Sequence, residues 1–330
     1  MRKGISIILC CFNSASRLPL TLKHISEQEV SDEILWELII VDNNSTDLTK
    51  QVIRTELVKF KCRASVQIVE EPKSGLSYAR RRGIFTAKYS YSIFCDDDNW
   101  LDRQFVQLAY DIMESNRKIG MLGGQGESVS EIAEPAWFDE KKCYYAIGKQ
   151  ALTSCDVTTR GYLWGASVVL RTDVLRSVYS VNVNSLLTDR KGNDLSSGGD
   201  AEISKWFILL GYRLWYDERL LFKHYIPKER LTTTYFENLL AGQSQSSPVL
   251  LSYKRYIYYK DYIIHHSKSL LFIKTLFKIF LIKMGFKKYS MSRNHIFQTM
   301  QLCLNSYFRW DDNLAHIQHE MNKLAVVERA

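Results

Sequence analysis

The sequence predicts an α/β protein with a doubly wound, mostly parallel sheet, helices on both of its faces and a C-terminal helical region. Two patterns carry that expectation. Apolar, β-branched runs recur through the first hundred residues, as expected of strands buried on both faces. Stretches of helical spacing separate them, and repeated strand-helix units of this length build parallel sheets. The size allows it: 330 residues, 46% hydrophobic and 24% charged, suffice for one large or two ordinary globular domains.

The elements follow in order. Ile5 to Cys11 reads as the first buried strand, and Leu18 to Glu29 has apolar residues at helical spacing. Leu35 to Val41 is a second strand. It runs into Asp42-Asn43-Asn44-Ser45-Thr46-Asp47, which is turn and helix-cap chemistry, and a helix through Leu57 follows. Ala64 to Val69 is a third strand, Ser77 to Thr86 a helix opening after Gly75, and Tyr89 to Cys95 a fourth strand. Asp102 to Glu114 reads as a helix, after which Gly123-Gly124-Gln125-Gly126 breaks the pattern. A strand and long loops are expected over Glu127 to Arg160, a strand over Leu163 to Arg171 and a short helix over Thr172 to Val178. A polar loop spans Val181 to Gly199, a helix Ala201 to Leu210 and a strand Tyr212 to Tyr216. The expected division is 1–100 and 101–225 as two halves of one α/β domain, with 226–330 basic and helical.

Charge is unevenly distributed. Basic and acidic residues balance up to Tyr225, so the net charge of +8 lies wholly in the last third. That asymmetry points to an anionic surface met by the C-terminal region. Within it, 269–286 is dense in apolar residues but interrupted by Lys274, Lys278 and Lys283. A transmembrane span needs roughly 20 largely uncharged residues. A helix lying in the membrane interface and a helix packed on the main domain both remain open. The seven cysteines are scattered without a Cys-x-x-Cys, which disfavours a disulfide framework or a zinc cluster. The apolar run after Met1 lacks a convincing cleavage site and reads as a strand rather than a signal peptide.

The chemistry concentrates at strand ends. Asp96-Asp97-Asp98 directly follows Tyr91-Ser92-Ile93-Phe94-Cys95. Adjacent carboxylates repel and call for a cation, and hard divalent ions bridge carboxylates to phosphates. In open α/β sheets ligands bind at the carboxyl ends of the strands. Cys10, Phe12 and Asn13 end the first strand: Phe12 can pack on a nucleobase or in the core, and the Cys10 and Cys11 backbones offer hydrogen bonds. Gly75 allows its loop a close approach to a ligand, and the Arg80 guanidinium offers fixed donors to phosphate or carbonyl oxygens. Asp200 follows Ser197-Gly198-Gly199 at a helix start, where it is either a presented base or an N-cap.

Four segments occur in series: Ser6 to Asn13, Leu38 to Asp47, Gly75 to Ile84 and Phe94 to Asp98. Together they resemble the family 2 glycosyltransferases, inverting enzymes of the GT-A fold that use nucleotide-diphosphate sugars. The resemblance implies that Asp42 and Asn43 line the base and ribose pocket and that Arg80 reaches the nucleotide. It implies that Asp96 contacts the ribose, Asp97 helps hold the region and Asp98 ligates Mg²⁺ or Mn²⁺. It makes Asp200 the catalytic base, with Glu202 in reserve, and brings His224 into the metal shell; a purely structural His224 stays open. Trp164-Gly165-Ala166 and Arg171 resemble the acceptor-side segment, where Trp164 can stack on a sugar or pack in the core. The chain departs from the pattern in two places: Asn43 where many relatives carry a second acid, and Gly199 where Glu often precedes the base.

The implied function is metal-dependent, inverting transfer of one sugar, with a UDP-sugar the favoured donor and a saccharide or lipid-linked acceptor. Bacterial surface polysaccharide or glycolipid assembly is the expected setting, in the cytoplasm or peripherally on the inner membrane face. Ser306 stands where the Gln of the processive synthases' Gln-x-x-Arg-Trp belongs, which favours single transfer. A homo-oligomer is left open. No helix-turn-helix, RRM or zinc-finger pattern supports a nucleic-acid partner. No G-x-G-x-x-G follows a strand, which speaks against a dehydrogenase, and the glycine-free first loop speaks against a nucleotidyltransferase. A non-catalytic sugar- or nucleic-acid-binding protein is the alternative.

Overall fold

The structure is a computed structural model and describes residues 1–187, 189–190, 195, 197–265, 273, 276–277, 281 and 312–327. The expectation over 269–286 therefore falls outside the described residues for most of its length. Among the described residues no helix is long and apolar enough to cross a membrane.

The strands are β1 (Arg2–Cys11), β2 (Trp36–Asp42), β3 (Ser65–Glu70), β4 (Tyr89–Asp96), β5 (Asn99–Leu101), β6 (Ile119–Ser130), β7 (Cys155–Asp156), β8 (Val169–Arg171) and β9 (Arg213–Ile226). They join one sheet in the order β3-β2-β1-β4-β8-β6-β9-β5, with β7 on β9. Pairing from β3 through β4 is parallel. Beyond β4 the sheet is mixed: β6 and β9 run parallel, whereas β8, β5 and β7 pair antiparallel to their neighbours.

The helices are α1 (Leu18–Ser26), α2 (Thr49–Phe60), α3 (Leu76–Thr86), α4 (Phe105–Ser115), α5 (Phe138–Lys141), α6 (Thr172–Ser180), α7 (Gly199–Leu209), α8 (Thr233–His265) and α9 (Asp312–Val327). Strand alternation sends side chains to two cores. Ile7, Leu9, Leu38 and Ile40 pack with Leu22 of α1, Ile53 of α2 and Phe105 of α4. Ile8 and Ile39 face the other way, with Ala79 of α3, Val178 of α6 and Phe207 of α7. Tyr253 of α8 and Ile317 of α9 join this second core, so the described C-terminal helices are part of the main body.

Three expectations change. The glycines at 123, 124 and 126 do not end a strand; they lie inside β6. A side chain there has no room: a Cβ at Gly124 would stand 2.9 Å from Leu220 Cβ and closer still to the Leu220 carbonyl. Gly124 lets β6 and β9 approach, whereas Gly123 makes room for Gln150 and Leu163 and Gly126 for the Ala146 carbonyl and the Phe222 ring. The strand expected over Leu163 to Arg171 shrinks to β8, because Gly165 to Val168 turns to pass close to α7. The strand expected to stop at Tyr216 continues to Ile226.

Parallel register brings the functional ends together. Cys10 lies opposite Asp96, and Cys11 opposite Asp42. The chain then turns at Asp97-Asp98 into β5, where Asn99 pairs with His224 and the Tyr225 N–H donates to the Asp98 carbonyl at 2.9 Å. Helix α3 packs across β1 through Gly83, whose absent side chain leaves space for the Ile8 methyl. Helix propensity favours Gly83→Ala by about 1 kcal/mol. A Cβ there would overlap Ile8 Cγ2 and lie 3.3 Å from the Ile8 Cβ, both on a fully buried side chain. Overpacking of about 1–3 kcal/mol should win, so Gly83→Ala is expected to lower the urea midpoint; a raised midpoint would show that α3 can slide.

Candidate active site

The described cleft has a volume of about 970 Å³ and opens over the carboxyl ends of β1 and β4. That size suits a nucleotide-sized ligand. Its floor is Asp96-Asp97-Asp98, and each of the three acids is met by a different arginine. Arg80 of α3 lies 3.8 Å from Asp96. Arg17, just before α1, holds Asp97 with two bonds, at 3.0 Å from Nε and 2.6 Å from Nη2. Arg230, in the turn Lys228–Leu231 after β9, donates to Asp98 Oδ2 at 2.8 Å. The triplet thus draws charge compensation from three separate elements.

Asp97 is spent on structure. Besides Arg17 it accepts from the Ser14 hydroxyl, and its carbonyl accepts from Thr21 at 2.7 Å. Asp98 is set differently. His224 Nδ1 lies 2.8 Å from the Tyr145 carbonyl, which can only accept, so Nδ1 carries the proton. A neutral His224 then turns the lone pair of Nε2 toward Asp98 Oδ1, 3.5 Å away. Two acceptors facing one another need a positive charge between them: a proton on Nε2, or a metal ion. The two groups are the O and N ligands a divalent ion would take, with phosphate and water completing the shell. Among the described residues no group of three or more His, Cys, Asp or Glu side chains gathers to hold a metal. Asp98 is held well below the usual carboxylate range despite its burial, by His224 and then Arg230.

The side formed by the end of β1 is less direct than expected. Cys10, Cys11, Phe12, Asn43 and Gly75 line the cleft. Phe12 is 38% exposed and so is not a core residue. Burial pushes the Cys10 thiol up to about 12, which rules out a thiolate there. Asn13 does not line the cleft; its Oδ1 accepts the Thr46 N–H at 2.9 Å and ties two strand-end loops together. Asp42 is also withdrawn: it is 1% exposed, with Lys50 3.5 Å away and the Ser45 N–H on Oδ1. Asn43 donates to the Glu71 and Lys73 carbonyls and accepts the Gly75 N–H at 2.7 Å. An acid at 43 could not make those donations, so the departure at this position shapes the rim through the 71–75 loop.

Across the cleft stands Asp200. It lies within the first turn of α7, not at the cap, which is Gly198 at φ 123°. Its Oδ2 accepts the Gly165 N–H at 2.7 Å and its Oδ1 the Ala201 N–H at 2.8 Å. Gly165 is needed for that approach, because a Cβ there would sit 2.9 Å from the Asp200 Cβ and 3.0 Å from Arg80 Nη2. Burial pushes the Asp200 carboxyl above its ordinary value, and neighbouring Asp189 adds to the effect. A carboxylate raised in this way is a stronger base. Trp164 lines the same wall and is half-buried, with Arg160 over its ring at 5.1 Å and over Tyr162 at 4.4 Å.

Glu202 does not belong to the cleft. It is 0% exposed and accepts from the Ser185 hydroxyl, the Leu186 and Leu187 N–H groups and Tyr253 Oη. It anchors the loop before α7 to α8. Arg171 likewise serves structure, donating to the Ile119 carbonyl at 2.8 Å. Arg17, Asp189 and Arg230 are cleft residues that pattern reading missed. Arg230 had one available signal, its place six residues after His224; Asp189 sits in a polar loop with no spacing cue.

Residues 6–178, just over half of the chain, match the model described as glycosyl transferase family 2. A cholesterol galactosyltransferase of Borreliella burgdorferi is 27% identical over 106 residues, which is 32% of this chain and 28% of that protein. Glycosyltransferase GlyA of Streptococcus pneumoniae is 26% identical over 106 residues, 32% of this chain and 14% of that one. Each match thus spans under a third of the relative. The S. aureus TarS 1–349 structure in complex with UDP-GlcNAc has a TM-score of 0.50 at 14% identity, covering 92% of this chain and 72% of that one. That likeness is one of fold, and the fold is GT-A-like.

Asp96, like Asp97, is shifted upward, opposite in sign to Asp98. Burial, with Asp98 and Asp97 adding to it, pushes the Asp96 carboxyl up to about 6 against the pull of Arg80. A folded pKa above the unfolded one favours folding while the acid is protonated and disfavours it once ionised. The loss is complete only above the folded value. Ionised Asp96 is thus expected to cost stability at neutral pH. Asp96→Asn is expected to raise Tm at pH 7.5 and to have no such effect below about pH 3, where both states are protonated. Equal melting shifts at the two pH values would disprove it.

Proposed function

The chain belongs to glycosyl transferase family 2, and from that membership and the cleft's geometry we propose that it moves one sugar from a UDP-sugar to a hydroxyl acceptor with inversion. The observation that carries the reading is the opposition of two acidic sites across one cleft: the Asp96–Asp98 floor, and Asp200 on the facing wall. Nucleotide chemistry suits the first and proton removal the second. The UDP-GlcNAc bound in the TarS relative of like fold supports a uridine nucleotide as donor. The relative named as a cholesterol galactosyltransferase supports an acceptor of the glycolipid-forming kind. Aromatic side chains of Tyr144, Tyr162 and Trp164 line the same cleft as Asp200 and suit a saccharide.

In this reading Phe12 and the β1 end meet the base, and Asp96 takes a ribose hydroxyl. The Asp200 carboxylate is fixed by two backbone N–H groups and keeps lone pairs for the acceptor. It removes the hydroxyl proton as the acceptor oxygen bonds to the anomeric carbon. The bond from that carbon to the diphosphate oxygen breaks, and the diphosphate leaves with the electron pair. Asp98 and His224 would hold Mg²⁺ or Mn²⁺. When bound, the ion neutralises the diphosphate and makes it a better leaving group. Arg230 keeps Asp98 Oδ2 engaged and Oδ1 directed at His224.

A panel of UDP- and GDP-sugars, scored by nucleoside diphosphate release, tests the donor; no release and no UDP binding would end the enzyme reading. Asp200→Asn is expected to bind UDP as wild type does and to lose about 10²–10⁴-fold in turnover; full turnover would remove Asp200 as the base. His224→Ala is expected to weaken UDP binding in Mn²⁺ but to change little in EDTA. Equal losses in both would assign the histidine a structural role.

A further inference from the structure

We infer that Asp189 is a positioning residue for transfer: its carboxylate fills the space above Gly199 and joins the donor-side Arg80 to the helix start that presents Asp200. This rests on the reading of Asp200 as the base. Asp189 arrives on the loop between α6 and α7 and is 7% exposed. Its Oδ1 accepts the Gly199 N–H at 2.9 Å, and its Oδ2 accepts from Arg80 Nη1 at 3.2 Å. The first of these satisfies a donor that helix geometry leaves unpaired at an N-terminus. Arg80 in turn reaches Asp96 at 3.8 Å, so one carboxylate links both walls of the cleft.

The glycine at 199 follows from this arrangement. Gly199 is helical and has no positive φ, so its backbone would accept any residue. What excludes a side chain is Asp189, because a Cβ on Gly199 would lie 2.6 Å from Asp189 Cγ and 2.7 Å from Oδ1. A carboxylate can reach this spot from the loop or from the helix, but not from both. The loop is itself held from behind. Glu202 accepts the Leu186 and Leu187 N–H groups, and Glu320 of α9 accepts the Asn184 N–H at 2.9 Å.

The groups facing Asp200 are the Gly165 N–H from the segment before β8, the Ala201 N–H from α7, the Arg80 guanidinium from α3 and the Asp189 carboxylate. Asp189 is the anionic neighbour in this set and helps to keep the base strong.

Three variants test the inference, assayed by nucleoside diphosphate release from whichever donor the panel selects. Asp189→Ala is expected to lower kcat/KM about a hundredfold, the scale of a misplaced reacting group, chiefly through kcat. Gly199→Glu should also be impaired and melt lower, because two carboxylates compete for one space. The double variant should recover at least tenfold over either single variant. A double variant no better than the poorer single variant would overturn the inference. Asp189→Asn supplies the readout that a merely structural role would not move: losing the anion beside Asp200 shifts the acid limb of kcat/KM to lower pH. An unshifted limb at wild-type rate would overturn the inference. If Asp189→Ala does not fold, Gly199→Ala displaces the same carboxylate, and wild-type rate and limb in that folded variant would decide against it. Full turnover in Asp200→Asn would instead sink the underlying reading, whatever the Asp189 variants do.

Discussion

The structure turns on compensating three adjacent carboxylates at the end of one strand. Asp96, Asp97 and Asp98 cannot share a half-buried site unless positive charge comes close to them. It comes from Arg80, Arg17 and Arg230, which stand on α3, before α1 and after β9. Three elements distant in sequence are thereby drawn to one point. Burying such pairs adds little net stability, whereas removing one partner costs about 3–5 kcal/mol. Their value here lies in placement. Asp97 fixes the loop after β1 through Ser14 and Arg17, which sets where Phe12 stands at the cleft. Asp98 is held at one oxygen by Arg230, leaving the other aimed at His224.

The facing wall uses backbone rather than charge. Asp200 is gripped by two N–H groups, one of them from Gly165, where Asp200 and Arg80 leave no room for a side chain. Behind it, buried Glu202 bonds the 185–187 loop and Tyr253, while Trp206 donates to the same Tyr253 hydroxyl at 2.9 Å. The described C-terminal helices therefore brace the cleft as well as completing a core. Glu202 looks from the sequence like a catalytic spare because it is an acid two residues from Asp200. Its helical position turns it by about 200° from Asp200, away from the cleft and into the protein.

Much of the donor half was legible in the sequence because its signals are local. Buried parallel strands announce themselves as apolar runs, and their ends carry the polar chemistry. β1, β2 and β4 were found in this way, and with them Cys10, Asn43 and the Asp96–Asp98 triplet. What stayed hidden depends on contacts between distant segments. The need for a cation at the triplet was readable; that three arginines answer it was not, since nothing about Arg17 or Arg230 marks them as partners of Asp97 and Asp98. Asp42 was assigned to the ligand on pattern, yet Lys50 and the Ser45 N–H claim it. The glycines of β6 look like a break because a glycine run reads as a turn, and only the neighbours crowding them in space, Leu220, Leu163 and the Ala146 carbonyl, explain a strand.

The two halves also differ in how far chemistry constrains them. A nucleoside diphosphate presents the same phosphates and ribose to any protein that binds it, so the strand ends that receive it admit few solutions. An acceptor imposes no such uniformity; it requires only that some carboxylate reach its hydroxyl, and loops carry such variation on a rigid scaffold. Gly199 marks the boundary between these regimes. A side chain is missing from the helix, and the volume it vacates holds a carboxylate delivered by a loop of this chain. The departure from pattern and the buried Asp189 are one feature, visible only when both segments are seen in space.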